Sequence, residues 1–101
     1  MPTLVIVDIH VTDPETYEKY KMLASASIAR HGGRYLVRGG DTATLEGQWR
    51  PGRVVVLEFP SRERAEAWWR SPEYEEARQV RLASASAEMV LVDGPSFDPG
   101  S

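Results

Sequence analysis

Apolar residues fall into short runs whose spacing separates strands from helices. The first run, 4–11, is rich in β-branched residues, which is typical of a strand. The next segment places apolar and small residues three or four positions apart, and this spacing predicts a helix. It begins after Asp13, which can cap its free N–H groups, with Pro14 in the first helical position. Gly32-Gly33 ends it, because a left-handed C-cap is least costly for glycine. Its inner stripe consists of Tyr17, Tyr20, Ala24, Ser27 or Ile28, and His31.

Three further strands are predicted in the rest of the chain. They cover residues 34–38, 53–59 and 87–92, where β-branched and apolar residues are again concentrated. Gly39-Gly40 predicts a bulge or bend in the second strand, which we expect to continue through 42–45.

A second helical segment separates the last two strands. Ser61 caps it, and Ser71-Pro72 interrupts it and starts a new helix. The residues expected on its inner face are Ala65, Trp68, Trp69, Ala77 and Val80.

The resulting order is strand, helix, strand, strand, helix, strand. Right-handed crossovers place both helices on the same face of the sheet. The sequence therefore predicts an α+β, ferredoxin-like βαββαβ sandwich with a four-stranded antiparallel sheet and two helices on one face. Residues 1–94 form this single domain, and 95–101, rich in proline and glycine, form a flexible C-terminal tail.

The sheet face that the helices leave open is also apolar. Strand alternation assigns Leu4, Ile6, Leu36, Val54 and Val56 to this face. A contiguous apolar surface of that kind is uncommon on a monomer, and two-fold dimers dominate protein oligomers. We therefore expect a homodimer that packs sheet against sheet.

Polar residues interrupt this open face. Alternation assigns Asp8, His10, Arg38 and Glu58 to it, and Trp49 lies on a neighbouring turn. Charges between two sheets are costly unless they are paired or wetted by a cavity. One interpretation is an Arg38–Glu58 ion pair that fixes register. The other is a polar pocket at the dimer interface, with His10 and Glu58 as catalytic residues and Asp8, Arg38 and Trp49 as substrate-binding residues.

Composition narrows the function classes. The formal net charge is −3, the chain has no cysteine, and its two histidines lack metal-ligand spacing. No glycine-rich phosphate loop follows the first strand, and the open face lacks the stacking aromatics of an RNA-binding sheet. We expect no metal, cofactor, nucleic acid or membrane partner, and a cytoplasmic location.

Several segments together resemble a known bacterial family over residues 3–94. They are Tyr35-Leu36-Val37-Arg38-Gly39-Gly40, Leu45-Glu46-Gly47, Leu57-Glu58-Phe59-Pro60-Ser61, Ser71-Pro72-Glu73-Tyr74 and Arg81. The chain resembles the family catalogued as domain of unknown function 1330, within the dimeric α/β-barrel superfamily. This resemblance implies ferredoxin-like subunits that pack sheet against sheet. Relatives in the superfamily include cofactor-free monooxygenases, haem-degrading enzymes, muconolactone isomerases and polyketide cyclases.

Two functional hypotheses remain. One is a small-molecule-binding or cofactor-independent enzyme-like protein, with a small organic acid or aromatic ligand in the interfacial pocket. The other is a non-catalytic dimerisation or interaction module. A ligand-sized cavity favours the first, and a filled interface with paired charges favours the second.

Overall fold

A computed structural model describes residues 1–94, and its elements follow the predicted order. They are β1 (Thr3–Val11), α1 (Pro14–Arg30), β2 (Arg34–Gly40), β3 (Arg53–Phe59), α2 (Arg62–Arg70), α3 (Pro72–Ser84) and β4 (Ala85–Asp93). The strands form one antiparallel sheet in the order β2-β3-β1-β4. The predicted α+β, ferredoxin-like fold is confirmed. The predicted tail, 95–101, lies outside the described residues.

The signals that begin and divide the helices act locally. Asp13 caps α1 by accepting hydrogen bonds from the Thr16 backbone N–H at 3.3 Å and the Thr16 hydroxyl at 2.7 Å. Ser71 ends α2 and caps α3, donating to the Trp68 carbonyl at 2.8 Å and accepting from the Tyr74 N–H at 3.1 Å. The division of the second helical segment at Ser71-Pro72 follows because proline cannot continue the hydrogen-bond ladder of α2.

The core lies between the sheet and the three helices. Val5, Val7 and Ile9 of β1 are each only 3% exposed. Against them pack the aromatic side chains of the helices, with the Trp68 and Tyr74 ring centroids 4.4 Å apart. Trp69 was expected beside Trp68 but is 47% exposed, since consecutive helical residues point in different directions.

Strand β2 is shorter and more irregular than predicted. It ends at Gly40, and residues 41–52 have no regular secondary structure, so the expected continuation through 42–45 is wrong. The pairing with β3 shifts register twice, between Tyr35 and Val37 and again between Arg38 and Gly40. The first shift makes Leu36 an extra residue, and an extra residue reverses which face later side chains occupy.

Candidate functional site

The open face carries one polar cluster, built around Asp8. Its carboxylate accepts hydrogen bonds from the Trp49 indole N–H and from the Gly52 backbone N–H, both at 2.8 Å. His10 Nε2 lies 3.4 Å from the same carboxylate. The Trp49 bond lowers the pKa of Asp8 below its ordinary value, with further lowering by Gly52 and His10, while partial burial opposes it. Asp8, His10 and Trp49 are therefore brought together, and Asp8 anchors the 41–52 loop to the sheet.

Glu58 does not belong to this cluster. In the β1–β3 ladder Glu58 lies opposite Leu4, whereas Asp8 lies opposite Val54. Four residues of strand separate the two carboxylates, a distance of about 13 Å at the usual rise per residue. The reason is that β1 and β3 are antiparallel, so residues near their carboxyl ends lie at opposite ends of the sheet. Glu58 accepts a hydrogen bond from Arg34 Nε at 2.7 Å, and the predicted Arg38–Glu58 pair is wrong.

Arg38 lies on the opposite face of the sheet from Asp8. The bulge at Leu36 pairs Arg38 with Val55, whose side chain is buried beneath the helices. The Arg38 guanidinium stacks 4.5 Å from the Tyr35 ring centroid, and its Nη2 donates to the Ser25 hydroxyl of α1 at 3.1 Å. The five predicted site residues therefore occupy three separate places within residues 1–94 and do not form one shared cluster.

A cavity on the helix side of the sheet offers a different site. It has a volume of about 380 Å³ and lies between α2 and the edge strand β4. Three helix-side residues of β4, Ala87, Met89 and Leu91, are only half-buried, unlike those of β1, because α2 leaves a gap over this edge. The apolar part of its wall consists of Val5, Ala65, Trp68, Ala87, Met89 and Leu91, together with the exposed Trp69 and Val90.

The charged residues of the cavity wall differ in whether they have a partner. Glu66 and Arg70 form an ion pair at 3.6 Å. Arg81, from α3, has no carboxylate within ion-pair distance among the described residues. Its Nε is buried and has no hydrogen-bond partner within residues 1–94. A buried donor without an acceptor is uncommon in proteins and calls for an explanation, one of which is a bound ligand that accepts its hydrogen bond.

Arg81 is connected to the core through two tyrosine hydroxyls. Its Nη1 donates to the Tyr74 hydroxyl at 2.8 Å, and the Tyr74 and Tyr20 hydroxyls lie 3.0 Å apart. Burial raises the pKa of Tyr20 far above its ordinary value, and Tyr74 raises it further. Both hydroxyls belong to a buried network, which holds Arg81 in place at the cavity wall while leaving its Nε without a partner.

Sequence reasoning named Arg81 through the family resemblance alone. The spacing along α3 could also have identified it as a candidate site residue. Arg81 follows Tyr74 by seven residues and Ala77 by four, which places a charge on the buried stripe of that helix.

Two further observations concern residues 1–94. No three histidine, cysteine or carboxylate side chains among them lie close enough together to hold a metal ion. No helix in this part of the chain combines the length and apolar character needed to span a bilayer.

Solved structures with the same fold include proteins of known and unknown activity. A protein of unknown function from Rhodopseudomonas palustris superimposes with a TM-score of 0.78 at 20% identity, covering 94% of this chain and 83% of that one. The cofactor-independent oxygenase SnoaB from Streptomyces nogalater gives 0.65 at 15% identity, covering 97% of each chain. A dimeric ferredoxin-like protein of unknown function from Thermobifida fusca gives 0.64 at 17% identity, covering 91% of this chain and 90% of that one. At these identities the similarity shows a shared fold.

Sequence comparison gives a more direct assignment. No curated protein matches the chain. Residues 2–95 match the family described as a domain of unknown function, DUF1330. Because this match covers nearly the whole chain, the protein belongs to the DUF1330 family.

Proposed function

We propose that the chain is a small-molecule-binding, enzyme-like protein whose ligand occupies the cavity between α2 and β4. One observation carries this proposal. A buried guanidinium donor, Arg81 Nε, has no partner within the described residues, and Arg81 lines a largely apolar cavity whose other charged residues, Glu66 and Arg70, pair with each other. SnoaB, which is described as a cofactor-independent oxygenase, shares this fold. That likeness is a reason to test the chain for a cofactor-independent reaction.

The cavity wall defines the ligand class. Its volume of 380 Å³ is near the lower end of the range of about 300–1,000 Å³ that is common for ligand pockets, so the ligand is small. Trp68 and Met89 favour an aromatic or aliphatic body. Arg81 cannot lose its charge and presents a planar fork of donors, which suits a carboxylate or an enolate. The proposed ligand is therefore a small aromatic or apolar organic acid.

The test is a thermal-shift and calorimetric screen of aromatic carboxylic acids and enolisable aromatic compounds. A binding compound should lose most of its affinity in Arg81→Met and part of it in Arg81→Lys, which keeps the charge but not the planar fork. Arg64→Met is the matched control, because Arg64 is exposed on α2 and does not line the cavity. Equal binding to all three variants, or no binding by any compound of these classes, would contradict the proposed site.

The catalytic roles expected for His10 and Glu58 are not part of this proposal. The two side chains lie at opposite ends of the open face, and each already has a charged neighbour. Asp8 and Trp49 instead serve to hold the 41–52 loop.

The open face supports a homodimer. Val90 is 58% exposed and Val92 is 44% exposed, next to the half-buried Leu4 and Ile6. An exposed apolar surface of this kind is typical of a protein interface, and a second copy of the chain can bury it across a two-fold axis. The relative from Thermobifida fusca is described as dimeric.

If no ligand binds while a dimer forms, the second candidate function applies, a non-catalytic dimerisation module. The specific observation in its favour is Leu45, which is 99% exposed on the 41–52 loop and available to a partner.

A further inference from the structure

We infer that a second binding site, specific for a compact oxyanion, lies between α1 and strands β2 and β3. It is formed by the guanidinium groups of Arg53 and Arg38, and its ligand is a carboxylate or phosphate group. None of these residues was assigned to the α2–β4 cavity, so the inference goes beyond the proposed function and stands on different side chains.

Arg53 is held on the helix side of the sheet with an unused donor. It pairs with Ile9, a core residue, and begins β3. Its guanidinium packs against Gly39, where φ is +75° and where a side chain would collide with it. Glycine at position 39 therefore makes room for the Arg53 head group. Nevertheless Arg53 Nε is buried without a hydrogen-bond partner within residues 1–94.

Arg38 supplies the second positive charge. It pairs with Val55, two residues from Arg53 on the neighbouring strand and on the same face, so the two backbones are diagonal neighbours about 7–8 Å apart. Within the described part of the chain, neither arginine has a carboxylate within 4 Å. Two positive charges on adjacent strands repel each other, and an anion bound between them would offset that repulsion.

Neutral hydroxyl groups complete the site. Tyr17 lies beside Arg53, and the Ser25 hydroxyl links Arg38 to the Tyr35 hydroxyl, with distances of 3.1 Å and 3.0 Å respectively. Lys21 also lines the crevice but is engaged by Glu18 at 2.9 Å. The site therefore offers two guanidinium groups that no carboxylate pairs within residues 1–94, beside hydroxyl groups that can donate hydrogen bonds to an oxygen.

The size of the crevice limits the ligand. Its free volume is about 30 Å³, which leaves room for a small charged group but not for an organic body. Trp68 and Met89 line both this crevice and the α2–β4 cavity, and so form the partition between them. Arginine binds carboxylate and phosphate oxygens in a bidentate manner, which matches a compact oxyanion.

The experiment titrates the whole protein with sodium phosphate and, separately, with sodium acetate, against sodium chloride at equal ionic strength. At about three times its dissociation constant, a bound anion should raise the melting temperature by about 5 °C. The shift should disappear in Arg38→Met, whose exposed side chain can be replaced without affecting the core, and weaken in Arg53→Lys, which lacks the Nε donor. Phosphorus NMR line broadening gives a second readout that does not depend on stability.

Arg34→Met is the matched control, since Arg34 lies on the same strand as Arg38 but is paired with Glu58. This variant should keep the full rise in melting temperature with phosphate or acetate. Arg81→Met should keep it too, and that result would distinguish the oxyanion site from the α2–β4 cavity. Chloride reproducing the shift, an unchanged response in Arg38→Met, or an equal loss in Arg34→Met would each overturn the inference.

Discussion

The anchoring of the 41–52 loop by Asp8 leads to a quantitative prediction. Residues 41–52 form no regular secondary structure, and the Asp8 carboxylate accepts hydrogen bonds from two of their N–H groups, those of Trp49 and Gly52. In Asp8→Asn the side chain keeps its shape but loses its charge. Its single carbonyl oxygen cannot occupy both acceptor positions, so one N–H group loses its partner.

The size of the effect expected in Asp8→Asn depends on how exposed the Asp8 hydrogen bonds are to solvent. A hydrogen bond to a charged group contributes about 1.5–3 kcal/mol, and the Asp8 side chain is 14% exposed, while Trp49 is more open to solvent. Water competes for these hydrogen bonds, so their contribution falls toward the lower end of this range. We therefore expect Asp8→Asn to lower the free energy of loop opening by about 1–2 kcal/mol. That change corresponds to exchange of the Gly52 amide hydrogen about 5–30 times faster.

Hydrogen exchange measured by NMR at the Gly52 amide reports this directly, because that N–H is itself a donor to Asp8. Asp41→Asn is the control, since Asp41 is an exposed carboxylate at the start of the same loop. The pKa of Asp8 is lowered on folding, so its contribution is complete above pH 3.8 and is lost as the pH falls below that value. Equal Gly52 exchange in the wild type and Asp8→Asn at neutral pH would refute the anchoring role.

Three further substitutions test the interface, the buried network and the helix cap. Val56→Glu should convert the proposed dimer to monomers in light scattering, because an unpaired carboxylate in the proposed sheet-to-sheet interface costs several kcal/mol, on the order of 3–5. Tyr74→Phe should lower the free energy of unfolding by about 1–3 kcal/mol in urea titrations, because Arg81 and Tyr20 both lose a buried partner. Ser71→Ala should reduce it by about 1 kcal/mol, a fall of about 4–8 °C in melting temperature, because α3 loses its cap.

Each of these variants has a matched control. Ala67→Glu adds the same charge at an exposed position on α2 and should leave the mass unchanged. Tyr35→Phe removes a hydroxyl that is only partly buried, and Ser86→Ala removes a serine hydroxyl from an exposed position. A monomeric wild type would remove the basis for the interface variant. Stability losses no larger than those of the controls would contradict the roles assigned to Tyr74 and Ser71.

The sequence by itself determined the elements and their order, because the signals that set them act between near neighbours. Asp13-Pro14 starts α1, and Ser71-Pro72 divides α2 from α3, through bonds that reach no further than three residues. Strand alternation likewise identified the buried face of β1 correctly, since a period of two needs no knowledge of the partner strand.

Only the tertiary structure decided which polar residues meet. The predicted antiparallel order already implied that Asp8 and Glu58 lie at opposite ends of the sheet, but the register that gives Glu58 its actual partner, Arg34, is a property of strand pairing. The bulge at Leu36 moved Arg38 to the other face, because one extra residue reverses every later side chain. The cavity beside Arg81 likewise depends on how α2 lies over the edge strand, and packing between distant elements has no local signal in the chain.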